Sequence, residues 1–195
     1  MPKGEITLIQ TIRKNVKSLL IVITTILVII LIAIGINKQM IKILYKKDYS
    51  SYVIKYSQEY KIDENLIYAI IKSESNFEVD AVSKSNAQGL MQLMYSTAED
   101  IARKAGIELT KENIFEPDIN INLGTKYITQ LIEKYEYLEL ALAAYNAGSG
   151  NVDKWIKNGT IKADGSDIEN IPFKETNTYV RKILRDYEIY THLEG

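Results

Sequence analysis

The spacing of apolar positions divides the chain into one unbroken hydrophobic run and a long series of amphipathic segments. Residues 19–36 carry no charge and no strongly polar side chain beyond Thr24 and Thr25. At about 1.5 Å per residue, a helix of this length nearly crosses the hydrocarbon core of a bilayer. A helix buried in a protein core would normally show a polar stripe. A signal peptide would have a shorter apolar region followed by a small-x-small cleavage site. Neither feature is present, so residues 18–37 are expected to form a transmembrane anchor, with residues 38–48 a basic juxtamembrane linker.

From residue 49 onward the pattern is helical almost throughout. Tyr49, Tyr52, Val53, Tyr56 and Tyr60 recur every three or four residues and define one apolar face. Asp63 is placed to N-cap a helix over 64–75. A polar loop follows over 76–88, with Asn86 at a turn that requires positive φ. Ser96-Thr97-Ala98-Glu99 fits a capping box, opening a helix that stops at Gly106. Pro117-Asp118 opens a long helix with Leu123, Tyr127, Leu131, Ile132 and Tyr135 on its apolar face. The apolar stretch 138–145 breaks at Asn146-Ala147-Gly148-Ser149-Gly150, and a short helix over 151–157 follows. Residues 158–171 read as a polar loop. A final helix over about 175–193 presents Val180, Ile183, Leu184, Tyr187 and Tyr190. With no alternating strand pattern and no internal repeat, the fold class is mainly α, with room for a small β element near Asn86. Phe77, Leu90 and Phe173 are expected in the core.

Composition narrows the chemistry. The 195 residues suit one compact domain plus an accessory segment. A net charge of -1 leaves no electrostatic footprint for nucleic acid. The absence of cysteine excludes disulfides and thiolate metal sites. The single histidine, His192 near the C-terminus, reads as a surface residue and leaves little for a histidine metal site or a Ser-His-Asp triad. Fourteen tyrosines against one tryptophan supply rings that also carry hydroxyls, which suits a polar ligand.

One acid stands out against this background. Ile67, Ile70 and Ile71 lie seven, four and three residues before Glu74, and so share its helical face. A carboxyl on an apolar face is disfavoured in its charged form, which raises its pKa and keeps a proton available near neutrality. The alternative is a helix-end glutamate that swings into solvent.

Four separated motifs then line up: Glu74-Ser75, Gly89-Leu90-Met91-Gln92, Ala144-Tyr145-Asn146-Ala147-Gly148, and Ile171-Pro172-Phe173-Lys174-Glu175-Thr176 with Tyr179-Val180. Any one could be packing or a helix stop. In this order and spacing they resemble the catalytic domain of the soluble-type lytic transglycosylases, over roughly residue 49 to the C-terminus. The resemblance implies a goose-lysozyme-like α-helical domain over 49–195 that acts on peptidoglycan glycan strands. It implies Glu74 as the single acid/base. Ser83, Gln92, Met94, Tyr145 and Asn146 are implied to line the sugar groove, and Tyr179 to contact the catalytic carboxyl. Structural readings stand beside these roles: Met94 as core, Tyr145 as packing, Ser83 as a turn residue. Asp80 is the nearest loop acid that could serve as a second carboxylate, and otherwise reads as solvated.

The reaction implied is cleavage of the bond between N-acetylmuramic acid and N-acetylglucosamine without water, giving a 1,6-anhydro end and needing no metal or organic cofactor. Hydrolysis of the same bond, or non-catalytic binding within a cell-envelope protein complex, are the alternatives. The family pattern is broken at Val79, Asn86 and Tyr95, all at turns, and at Asn177, where an arginine is usual. Lys3, Arg13, Lys14 and Lys17 before the apolar run nearly balance Lys38, Lys42, Lys46 and Lys47 after it. Orientation therefore leans on function: residues 1–17 as a short cytoplasmic tail, the domain on the cell-wall side of the cell membrane.

Overall fold

A helix buried on every side organises the domain, and its sequence explains why. Asp63 accepts a hydrogen bond from the Asn65 amide at 2.9 Å and caps α2, Glu64–Glu74. From Leu66 to Ile71 every side chain of this helix is apolar or aromatic, and each is at most 3% exposed. Each large one removed from water contributes roughly 1.5–3 kcal/mol. In the computed structural model the described residues are 17, 20, 23–28, 30, 39–41 and 43–193. The chain divides into two compact units, Met1–Lys46 and Lys47–Gly195.

In the first unit the described residues up to 44 are helical. Leu20, Ile23, Ile26, Leu27, Val28 and Ile30 are each roughly half exposed, between 45% and 56%. Most of the expected span over 18–37 lies outside the described residues. Among the described residues no helix is long and apolar enough to cross a membrane.

The second unit is mainly α-helical. α1, Ser50–Tyr60, precedes α2 and is followed by Lys61 in the left-handed region at φ 54°. Two short strands, β1 (Ala87–Gln88) and β2 (Leu93–Met94), pair antiparallel with Ala87 opposite Met94. This is the small β element expected near Asn86, which takes φ 66°. The remaining helices are α3 (Tyr95–Ala105), α4 (Pro117–Tyr135), α5 (Leu138–Ala147), α6 (Ser149–Lys157) and α7 (Lys174–His192). α2 packs along α7, α4 lies between α1 and α5, and α5 contacts α6 and α7.

Three expectations are corrected. The capping box at Ser96–Glu99 does not form: α3 begins at Tyr95 with extended Met94 as N-cap and no side-chain cap bond. Pairing of Met94 in β2 fixes where the strand hands over to the helix. Helix α6 begins at Ser149 rather than 151, because Gly148 at φ 84° turns the chain in a single residue after α5. Phe173 is not core. It is 47% exposed at the entry to α7 and meets Trp155 edge-on, with ring centroids 5.0 Å apart. Phe77 and Leu90 are buried as expected, at 5% and 0%.

One buried side chain fixes the loop that carries the strands. Asn120 of α4, fully buried, donates to the carbonyls of Gln88 (3.1 Å) and Ile114 (2.8 Å) and accepts from the Met91 amide (2.7 Å). The loop approaches so closely that a Cβ on Gly89, at φ +77°, would collide with the Asn120 amide group. Asn120→Ala would strand three buried polar groups. It is expected to cost about 2–4 kcal/mol in a urea titration.

Candidate active site

Glu74 ends α2, and the residues directly after it are shaped to keep its carboxyl in place. Asn76 and Phe77 both take left-handed conformations, φ 50° and 69°. That is costly for a residue as bulky as phenylalanine. The buried Ser75 hydroxyl stabilises this reversal. It lies 2.8 Å from the Leu90 carbonyl and 3.2 Å from the Ile71 carbonyl, and it accepts from the Phe77 amide at 3.1 Å. The Phe77 ring packs beside Tyr68, centroids 6.5 Å apart. The chain thus turns away directly after Glu74 and leaves it at the edge of a groove.

The groove has three overlapping portions. One of about 700 Å³ is lined by Glu74, Ser83, Gln92, Asp80 and Lys182 among others. The next, about 490 Å³, is lined by Glu74, Ser83, Gln92, Met94, Tyr145 and Asn146, with Glu175. The third, about 260 Å³, shares Gln92, Met94, Tyr145 and Asn146 and adds Tyr127. Glu74 borders the first two, so both flanks of its carboxyl are open to an extended ligand.

As a residue Glu74 is half-buried, yet enough protein crowds the carboxyl to shift its titration. Burial pushes its pKa from 4.5 up to about 7, opposed by the Tyr179 hydrogen bond and the Lys182 charge and assisted by Glu175. The Tyr179 hydroxyl donates to Glu74 Oε1 at 2.6 Å. Burial and the neighbouring Glu74 charge push the Tyr179 and Tyr145 hydroxyls well above their ordinary value, so both are protonated donors.

The structure brings Glu74, Ser83, Gln92, Met94, Tyr145 and Asn146 to this groove, in differing ways, while the buried Tyr179 meets the Glu74 carboxyl and lines none of the three portions. Tyr145 donates to the Met91 carbonyl at 2.8 Å and lies against Tyr127, centroids 5.1 Å apart, so it packs as well as lines. Asn146 is exposed and accepts from the Thr176 hydroxyl at 2.7 Å. Met94, at 44% exposed, faces the groove and is not core. The Gln92 amide donates to the carbonyls of Ala81 (3.0 Å) and Gly89 (2.9 Å). With φ 48° itself, Gln92 braces the loop it sits on. Ser83 is both a turn residue and a lining residue: its hydroxyl accepts from the Ala87 amide at 3.0 Å. Asp80 is exposed on the rim.

Glu175, Lys182 and Tyr127 line the groove although the sequence reading gives none of them a site role, Glu175 appearing there only within a motif. Glu175, Tyr179 and Lys182 are spaced four and three apart, which places them on one face of α7. That spacing, read from Tyr179, would have found the other two. Tyr127 read as an ordinary core position of α4. Asn177 ties α7 to the preceding turn: its amide donates to the Ile168 carbonyl and its oxygen accepts from Arg181. Among the described residues no group of three or more His, Cys, Asp or Glu could hold a metal ion.

An acid ends a buried helix beside a groove and is held by a tyrosine from α7, within a mainly helical, lysozyme-like fold. The sequence profile of the Transglycosylase SLT domain matches residues 51–168, more than half of the chain, and the chain belongs to this family. Among curated relatives, the soluble lytic murein transglycosylase of Salmonella typhimurium is 32% identical over 151 residues, spanning 75% of this chain and 23% of that protein. The Escherichia coli K12 protein of the same name is 30% identical over 151 residues, covering 75% of this chain and 23% of its own length. This chain therefore spans about a quarter of the length of the curated relatives it matches. Among solved structures, an inactive mutant of the lytic transglycosylase Slt from Pseudomonas aeruginosa superposes with a TM-score of 0.72 at 36% identity, over 77% of this chain and 25% of that one. A 70-kDa soluble lytic transglycosylase in complex with bulgecin A gives 0.73 at 30% identity, over 80% and 26%.

The raised pKa of Glu74 makes stability depend on pH. Between 4.5 and about 7 the folded chain holds a proton that the unfolded chain has lost, so this contribution is full below 4.5 and is lost as pH rises through about 7. Glu74→Gln keeps the shape without the charge. At about pH 8 the variant is expected to be more stable than wild type by roughly 1–3 kcal/mol, with the gap closing towards about pH 4, in denaturant titrations at both pH values.

Proposed function

We propose that this chain is a membrane-anchored peptidoglycan lytic transglycosylase with Glu74 as its single acid/base. The observation that carries the reading is the Glu74 carboxyl: its pKa pushed up to about 7 by burial, hydrogen-bonded by Tyr179 at 2.6 Å, and bordering two portions of the groove. The names of the curated relatives and solved structures point to the same chemistry.

In this mechanism Glu74 gives its proton to the oxygen joining N-acetylmuramic acid to the C4 of N-acetylglucosamine, and that C–O bond breaks at the muramoyl anomeric carbon. The substrate's 2-acetamido group meets the positive charge that develops there, a recognised exception to the two-carboxylate rule. Glu74, now a carboxylate steadied by the Tyr179 hydroxyl, takes the proton from the muramoyl 6-hydroxyl. The oxygen closes onto C1 as a 1,6-anhydro ring, and Glu74 is protonated again. No water is consumed.

Hydrolysis of the same bond is the second reading. It is favoured by one observation, that Glu175 lines the same groove portion as Glu74 and could orient a water. Mass spectrometry of muropeptides released from purified peptidoglycan separates the two. Anhydro-muramoyl products are expected, absent with Glu74→Gln, at a rate that falls as pH rises through about 7 and the acid loses its proton. Products heavier by one water would establish hydrolysis instead. Binding without release from either protein would point to a non-catalytic role in an envelope assembly.

The anchor is assigned to residues 18–37, with residues 1–17 in the cytoplasm and the domain facing the wall. The uncharged run and the half-exposed Leu20, Ile23, Ile26 and Leu27 support it. The chain is expected to sediment with membranes after carbonate washing and to be released only by detergent. A protease added outside spheroplasts should digest the domain. Recovery in the carbonate wash would overturn the anchor.

A further inference from the structure

The last turn of α2 has a backbone problem that one lysine addresses. The Phe77 amide, which would close a helical bond to the Ser73 carbonyl, donates instead to the Ser75 hydroxyl. The Ser73 carbonyl accepts from Lys182 Nζ of α7 at 3.3 Å. Lys182 is partly buried and borders the same groove portion as Glu74. A cation at a helix C-terminus is favoured by the exposed carbonyls there.

We propose that Lys182 is a positioning residue: its ammonium pins the end of α2 through the Ser73 carbonyl and stabilises the Glu74 carboxylate left after proton donation. The proposal rests on the acid/base reading of Glu74. The other charged or titratable groups around that carboxyl do not duplicate the role. From α7, Tyr179 hydrogen-bonds it and Glu175 opposes its ionisation; from α5, Tyr145 is neutral. On α2 itself, Lys72 pairs with the buried Asp186 at 3.3 Å. Glu78, Asp80 and Lys84 lie on the loop lining the groove. The charge of Lys182 favours the carboxylate, so its removal makes Glu74 a weaker acid.

The test is an NMR titration of the Glu74 side-chain carbonyl carbon in the full chain. Lys182→Met is expected to raise its midpoint by about half a unit or more, while Lys182→Arg stays near wild type. Lys182→Gln keeps a donor for Ser73 but not the charge, and should titrate with the Met variant. A wild-type midpoint in the Met or Gln variant would overturn the proposal. The carboxyl titrates whether or not the chain cleaves peptidoglycan, so failure here is distinct from failure of the activity. In cleavage assays the alkaline limb should move with the NMR midpoint. A slower variant with an unmoved limb would mark Lys182 as merely structural and also overturn the proposal.

Discussion

The desolvation of one carboxyl is the constraint on which the site depends. Glu74 terminates a helix whose central residues are wholly immersed in protein, so its acid cannot be moved without moving the core. Burial raises its pKa, while Tyr179 and Lys182 from α7 keep ionisation within reach. The balance matters more than either side of it. A fully solvated glutamate would be ionised at neutral pH, and an unrelieved buried one would not release its proton.

The rest of the domain holds the surroundings of that carboxyl still. Ser75 and the two left-handed residues after it steer the chain away from the groove. Asn120 fastens the strand loop from below, and Gln92 braces it from within. Packing of Leu93, Ala98, Ile101 and Ala102 against Ile114 and Leu123 supports the wall that carries Tyr127 and Tyr145. Several polar groups that line the groove therefore also have hydrogen-bonding work in the loops beneath it, so the ligand meets a largely prearranged surface.

Much of this was legible along the chain. The helices, the Gly106 stop, the positive φ at Asn86 and the acid on the apolar face of α2 all follow from local spacing and turn chemistry. The start of α3 did not, because strand pairing at Met94 overrode a good capping box. Phe173 misled because an aromatic residue before a helix can lean on a neighbour's ring edge without entering the core. Glu175 and Lys182 were hidden by their ordinariness: charged residues on a helix usually face water, and only the docking of α7 on α2 turns this pair towards the acid. Lining roles for Ser83 and Gln92 came from motif resemblance. Their loop-bracing bonds could come only from three dimensions.

The hydrogen bond between Tyr179 and Glu74 joins residues 105 apart in the chain. α7, the 19-residue helix that supplies it, is synthesised after all the elements it packs against. A nascent chain lacking this helix has α2 uncovered along one side, and its glutamate is an ordinary surface acid. The surroundings of Glu74 are thus completed only once α7 has been made and has folded back. Under the proposed function and topology, a chain still emerging from the membrane remains inert towards the wall until that helix has docked.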